Sequence, residues 1–188
     1  REALRSELKD LQMKIRGTFL FVTHDQIEAM SMGDKVAVLN QGRIIQVGTP
    51  HQIYNSPRDM FVASFVGSPA MNLVKGELRD GKLTTLSGQL AFGLPAAVAG
   101  KANGTEQVTA GIRAEDVKVG PDGAAEAKVH HIENHGVELI VTLRTEGHLF
   151  KATTPATMPL AVEDTVRFSW TPEKVHAFGA DGVSLAYR

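Results

Sequence analysis

Thr18-Phe19-Leu20-Phe21-Val22-Thr23-His24-Asp25-Gln26-Ile27-Glu28-Ala29-Met30 is the stretch on which the fold turns. Thr18–Thr23 is β-branched and aromatic with no polar alternation, the pattern of a strand buried on both faces in a parallel sheet. His24 stands at its end. Asp25 is placed to cap a helix from Gln26 to Met32, with Glu28 three residues on in the manner of a capping box, and Gly33 ends it. Upstream, Leu4, Leu8, Leu11 and Ile15 recur at spacings of four, three and four, which predicts a helix over 2–15. A helix feeding such a strand implies α/β architecture.

Downstream, Asp34–Leu39 and Arg43–Val47 flank Asn40-Gln41-Gly42 and read as a hairpin. Thr49-Pro50 opens a further helix, with Thr as cap and Pro in the first turn. Pro57 begins a helical segment through Phe61, Val62, Phe65 and Val66 that Gly67-Ser68-Pro69 breaks. Beyond Asn72 the pattern changes to short strands between Gly, Asn and Asp turns: 73–78, 82–86, 107–112, 127–134, 137–145, 148–153, 165–170 and 175–178. That spacing predicts a small sandwich or barrel. The organisation expected is therefore residues 1–49, a helical linker over 50–70, and a β domain over 71–188.

Composition narrows the function. The 188 residues are 43% hydrophobic and 22% charged, which is globular composition. Twenty basic and 21 acidic side chains leave a formal charge of −1. A basic nucleic-acid platform is excluded, so no nucleic-acid partner is expected. Absence of cysteine removes disulfides, zinc–thiolate sites and thiol nucleophiles. No apolar run reaches the roughly 18–20 residues of a membrane span, and Ala91–Gly100 has about half that length. A soluble, intracellular protein is predicted. Because the chain opens on Arg1, it is expected to derive from something longer.

Four places could carry chemistry. His24, at a strand's carboxyl end, could donate to an anion such as a phosphate. In His130-His131-Ile132-Glu133-Asn134-His135, three ligating side chains would share one strand face, but Asn134-His135-Gly136 reads as a turn that breaks it, so no metal is expected. Tyr54, Phe61, Phe65 and Val66 could form a docking stripe, or pack a linker helix onto its own domain. Trp170, beside Phe168 and Phe178, reads as barrel core or rim.

The first stretch resembles the switch-histidine segment of ABC-transporter ATPases. The likeness continues through Asp34–Leu39, Gly42–Pro50, Ile53–Pro57 and Phe61–Asn72, where it is to the ATP-binding subunits of sugar and glycerol-3-phosphate importers of the maltose type. Arg1–Lys9 resembles the helix after that family's D-loop. Gly111-Ile112-Arg113-Ala114-Glu115-Asp116-Val117 and Thr171–Phe178 resemble segments of its C-terminal OB-like (TOBE-type) regulatory barrel, with Ala114 where proline is usual.

The resemblance implies an α/β remnant of a P-loop ATPase domain followed by that all-β barrel. It implies that His24 contacts the ATP γ-phosphate and positions the attacking water across a nucleotide-sandwich dimer. ATP and Mg²⁺ would serve the full-length parent. Its partners would be transmembrane permease subunits, a second copy of itself and a regulatory protein on the barrel. Its place would be cytoplasmic, peripheral at the inner face of the cell membrane. The sequence has no Gly-x-x-x-x-Gly-Lys-[Ser/Thr] loop, no strand ending in Asp-Glu and no Leu-Ser-Gly-Gly-Gln signature. Leu86-Ser87-Gly88-Gln89 lacks one Gly and reads as a turn. The chain alone is therefore expected to bind no nucleotide and not to hydrolyse ATP. Two alternatives stay open: a stand-alone OB-like module over 71–188 that senses a solute or partner, or the ATPase of a polyamine or inorganic-anion importer, whose family shares the switch segment. Residues 1–49, without sheet partners, are expected to be poorly ordered, rearranged or paired between chains.

Overall fold

Helix α1 (Glu2–Ile15) forms where the 3.6-residue period predicts it, with Lys14 in its last turn complementing the helix dipole and Arg16 leaving it at φ 49°. This is a computed structural model. It describes residues 2–79, 82–86, 88, 90–100 and 106–187. The chain divides into two units, one ending at Arg58 and one beginning at Asp59.

In the first unit the strand predicted at Thr18–Thr23 does not form. The segment is irregular, and Leu20 and Val22 are 93% and 88% exposed. Local propensity is not enough for a strand, because its backbone groups need a neighbouring ladder. Here β1 (Val36–Asn40) and β2 (Arg43–Gly48) pair only with each other, antiparallel. No parallel sheet is formed among the described residues, and the strand expected at Thr18–Thr23 is corrected to an irregular segment; residues 2–49 form two helices and one hairpin. Gln41 and Gly42, at φ 48° and 75°, make the two-residue turn with both φ values positive that suits strand twist.

Helix α2 (Gln26–Met32) is capped by Asp25, whose Oδ1 accepts from the amides of Ile27 at 2.9 Å and Glu28 at 3.1 Å. Thr23 Oγ1 accepts from Asp25 N at 2.9 Å and donates to Glu28 Oε2 at 2.8 Å. Thr23 therefore links the cap to the first turn. Helix α3 (Pro50–Asn55) has the full capping box between Thr49 and Gln52. Gln46 ties the chain after α3 back to β2: its Nε2 donates to Ser56 O at 2.9 Å, and its Oε1 accepts from Arg58 N at 2.8 Å.

The second unit begins with α4 (Met60–Phe65), capped by Asp59. Two five-stranded antiparallel sheets follow. One, in the order β12-β6-β3-β4-β5, contains β3 (Asn72–Arg79), β4 (Lys82–Thr85), β5 (Ala91–Gly93), β6 (Glu106–Ile112) and β12 (His176–Phe178). The other, in the order β10-β9-β8-β11-β7, contains β7 (Val117–Val119), β8 (Ala125–Asn134), β9 (Glu138–Thr145), β10 (His148–Pro155) and β11 (Thr165–Trp170). Its two edge strands approach each other without pairing, so the sheet curls toward closure. A four-residue helix, α5 (Ala96–Ala99), follows β5. Every strand predicted beyond Asn72 is present; β5, β7 and α5 are too short to show a period.

Alternation along the strands builds one core between the sheets. Leu83 and Phe92 from the first sheet meet Val129, Leu143, Phe150 and Phe168 from the second, all at 0% exposure. Phe150 and Phe168 lie 5.5 Å apart between ring centroids. The Asn72 amide joins the sheets. Its Nδ2 donates to Ile112 O at 3.1 Å and to Lys151 O at 2.8 Å, while Oδ1 accepts from Lys151 N at 2.7 Å.

His176 makes the stability of this unit sensitive to acid. Burial first, then Arg113 and Lys174, push its pKa from 6.5 down to about 4. Between those values the unfolded chain binds a proton that the folded chain does not. Stability therefore falls as pH drops through that window and is level above it; a displacement of that size is worth about 3 kcal/mol at its acid end. Asp116, whose pKa burial raises, titrates in the opposite sense and offsets part of the loss. Urea midpoints measured from pH 7.5 to 4.5 should decline in the wild type and decline less in His176→Gln.

Candidate functional site

His24 sits between the irregular segment and the Asp25 cap, on the surface of the first unit. It makes no side-chain hydrogen bond or ion pair among the described residues, so its imidazole is open to an incoming acceptor. Its surroundings are not a nucleotide cradle. The amides of Ile27 and Glu28, which an anion would need, are taken by the Asp25 carboxylate, and that carboxylate's charge opposes a phosphate. One imidazole whose neighbouring amides are already taken does not by itself form a nucleotide cradle.

The histidine-rich stretch is dispersed by the backbone. A bulge in β8 shifts the register between Val129, opposite Leu143, and His131, opposite Thr142. Glu133 then lies opposite Ile140, but the strand ends at Asn134. His135 is in the turn, where its amide donates to Glu138 O and Gly136 sits at φ 87°. The Glu133 carboxylate has Lys151 Nζ at 3.5 Å and His135 Nε2 at 3.8 Å. An ammonium at that distance occupies the charge a metal would use. Among the described residues no three ligating side chains are grouped to hold a metal ion.

The aromatic stripe divides. Phe61 and Phe65 stack with centroids 5.5 Å apart and Phe65 is 46% exposed, while Val62, Ala63 and Val66 turn inward. Tyr54 belongs to the first unit. Trp170 stacks on Phe92 at 4.2 Å and joins the core, as its neighbours predict. Of Leu86–Gln89, Ser87 and Gln89 lie outside the described residues; Gly88, at φ 77°, donates its amide to Thr85 O. No described helix is long and apolar enough to cross a membrane.

Sequence reasoning passed over two buried polar residues, Asn72 and Arg113, at 8% and 3% exposure. Each stands beside an apolar strand, and a polar side chain in that position was the available signal.

The profile of the MalK OB fold domain matches residues 67–117, and that of the TOBE domain matches residues 110–178. The sn-glycerol-3-phosphate import ATP-binding protein UgpC of Jannaschia sp. is 40% identical over 181 residues, covering 96% of this chain and 50% of its own. The xylose/arabinose import ATP-binding protein XacK of Haloferax volcanii is 39% identical over 198 residues, covering 100% and 51%. An uncharacterized ABC transporter ATP-binding protein of Bacillus subtilis, YurJ, is 34% identical over 199 residues, covering 100% and 54%. The chain spans about half the length of the curated relatives it matches. Residues 67–178 thus belong to the MalK OB fold and TOBE domain families, and the homologues of the chain are ATP-binding proteins of sugar and sn-glycerol-3-phosphate import.

Proposed function

We propose that this chain is the C-terminal part of the ATPase subunit of an ABC importer that couples ATP hydrolysis to uptake of a sugar or sugar phosphate. Residues 1–49 are the end of its nucleotide-binding domain, 50–70 its linker, and 71–188 its regulatory and dimerisation barrel. The reading rests above all on the extent of the homology. It covers 96–100% of the chain, so it includes the residues before Gly67 that neither domain profile reaches.

His24 is the residue that acts on ATP in the assembled enzyme. The phosphate loop and the Mg²⁺ ligands belong to sequence this chain does not contain. Phosphoryl transfer is catalysed by positioning and charge stabilisation, and an exposed imidazole beside the γ-phosphate supplies one donor of that kind. The subunit works as a dimer on permease subunits at the cytoplasmic face of the membrane.

A graft tests this. Residues 1–188 replace the matching half of UgpC, and ATP hydrolysis and glycerol-3-phosphate uptake are measured. The chimera should be active, and His24→Ala within it should lower hydrolysis roughly 100-fold or more, the scale for removal of one donor to a developing charge. The isolated chain should show no turnover, with or without His24. A folded, assembled chimera whose hydrolysis is indifferent to His24→Ala would refute the assignment.

A further inference from the structure

Among the described residues, α4 is attached to the β domain at its start, beneath it and at its end. At its start, Met60 N donates to Gly182 O at 2.9 Å and Asp59 bridges to Val183. Beneath it, Ala63 packs with Met71 and Phe178 in a small apolar cluster separate from the main core, flanked by Met60 and Leu73. Gly111 makes room for that cluster, since a Cβ there would lie 2.6 Å from Met71 Sδ and 2.8 Å from the Phe178 ring. At its end, Arg113 Nη1 donates to the carbonyls of Ala63 and Val66.

The guanidinium is 3% exposed and meets two carbonyls at the negative end of the helix. A buried cation with such partners contributes strongly while they stay, and is costly to leave behind if they depart. The helix it holds has six residues, too few to persist by itself. His176, two residues from Phe178 on β12, stays uncharged near neutral pH, so it adds no second cation beside Arg113.

We infer that α4 is a separately releasable latch on the first sheet, and that Arg113, at the end of β6, is the positioning residue that keeps it closed. Opening uncovers Met71 and Phe178, which form a cluster apart from the core between the sheets, so that core stays in place. Its regulatory meaning rests on the functional reading above: α4 lies in the 50–70 linker, so its closure is where the barrel could hold or free the ATPase half. The latch itself is independent of ATP and can be tested on the chain as it stands.

Hydrogen exchange of the 188-residue chain reads it directly. In the wild type the amides of Ala63 and Val66 should exchange at least 10-fold faster than those of Val141 and Leu143 in β9. Arg113→Met should raise exchange at Ala63 and Val66 by a further 10- to 100-fold while β9 changes less than threefold. Arg113→Lys, which keeps a donor, should fall between the two. Equal protection of α4 and β9 in the wild type would overturn the latch even if Arg113→Met failed to fold. So would a loss in Arg113→Met, or in Arg113→Lys, that is the same in β9 as in α4, or no change in α4. If the latch holds while the UgpC graft fails, only its regulatory meaning falls.

Discussion

Gly123→Ala should destabilise the β domain by about 3 kcal/mol or more, the upper range for overpacking a rigid site. Gly123 is buried in the turn between β7 and β8. An added Cβ would stand 2.2 Å from Phe168 N and 2.6 Å from Arg167 C. Those atoms are backbone of β11, which pairs with β7 on one side and β8 on the other. They cannot yield as the tip of a flexible side chain could. Arg167 reinforces the approach, with Nε donating to Gly123 O at 2.8 Å and its own carbonyl accepting from Gly120 N. Phe168, whose backbone would be displaced, is a fully buried member of the core. Gly136→Ala is the informative control. It has open space but φ 87°, so only the strain of a left-handed residue, about 1 kcal/mol, is expected. Urea midpoints should separate the two clearly, and a wild-type midpoint for Gly123→Ala would show that this turn and β11 are not in close contact.

Asn72→Leu should cost about 3 kcal/mol although the side chain keeps its size. It would leave the carbonyl of Ile112, a buried orphan at roughly 1–3 kcal/mol, and the half-buried amide and carbonyl of Lys151 without their partner. The orientation of the amide is fixed by its partners, because the NH₂ must face two carbonyls and the oxygen an N–H. Asn72→Asp is therefore no rescue. It keeps the acceptor for Lys151 N but turns an oxygen toward two carbonyls, so it should be at least as damaging as leucine. Denaturant midpoints for both, with exchange at the Lys151 amide, check this. An Asn72→Asp variant as stable as the wild type would contradict the geometry.

Much of this architecture is local and could be read. Gln41-Gly42 sets the first hairpin, Thr49-Pro50 and Gln52 set α3, and the apolar, β-branched run in Glu138–Thr145 sets a strand. Thr18–Thr23 shows where reading stops. Its residues prefer a strand, but a strand is made by its neighbour, and none in this unit pairs with it. The partners of Asn72 and Arg113 were illegible for a related reason: Asn72 meets Lys151, 79 residues away, and Arg113 meets Ala63 and Val66, 50 and 47 away. Separations of that size carry no pattern along the chain. The site follows the same division. His24 was found through the likeness of its segment to one family, and the Asp25 cap beside it was read from local pattern and is present, its carboxylate accepting from the amides of Ile27 and Glu28.

The Asn72 amide also bears on how other molecules can meet the barrel. β10 is the border strand of its sheet, and such a border normally offers a row of free N–H and C=O groups on which a foreign strand can zip. Midway along it, at Lys151, both groups are already taken by Asn72. An intruding strand would have to evict that amide before it could run the length of β10. The border is thus blunted against adhesion between copies, and a protein that recognises this side of the domain must read its side chains and not extend its sheet.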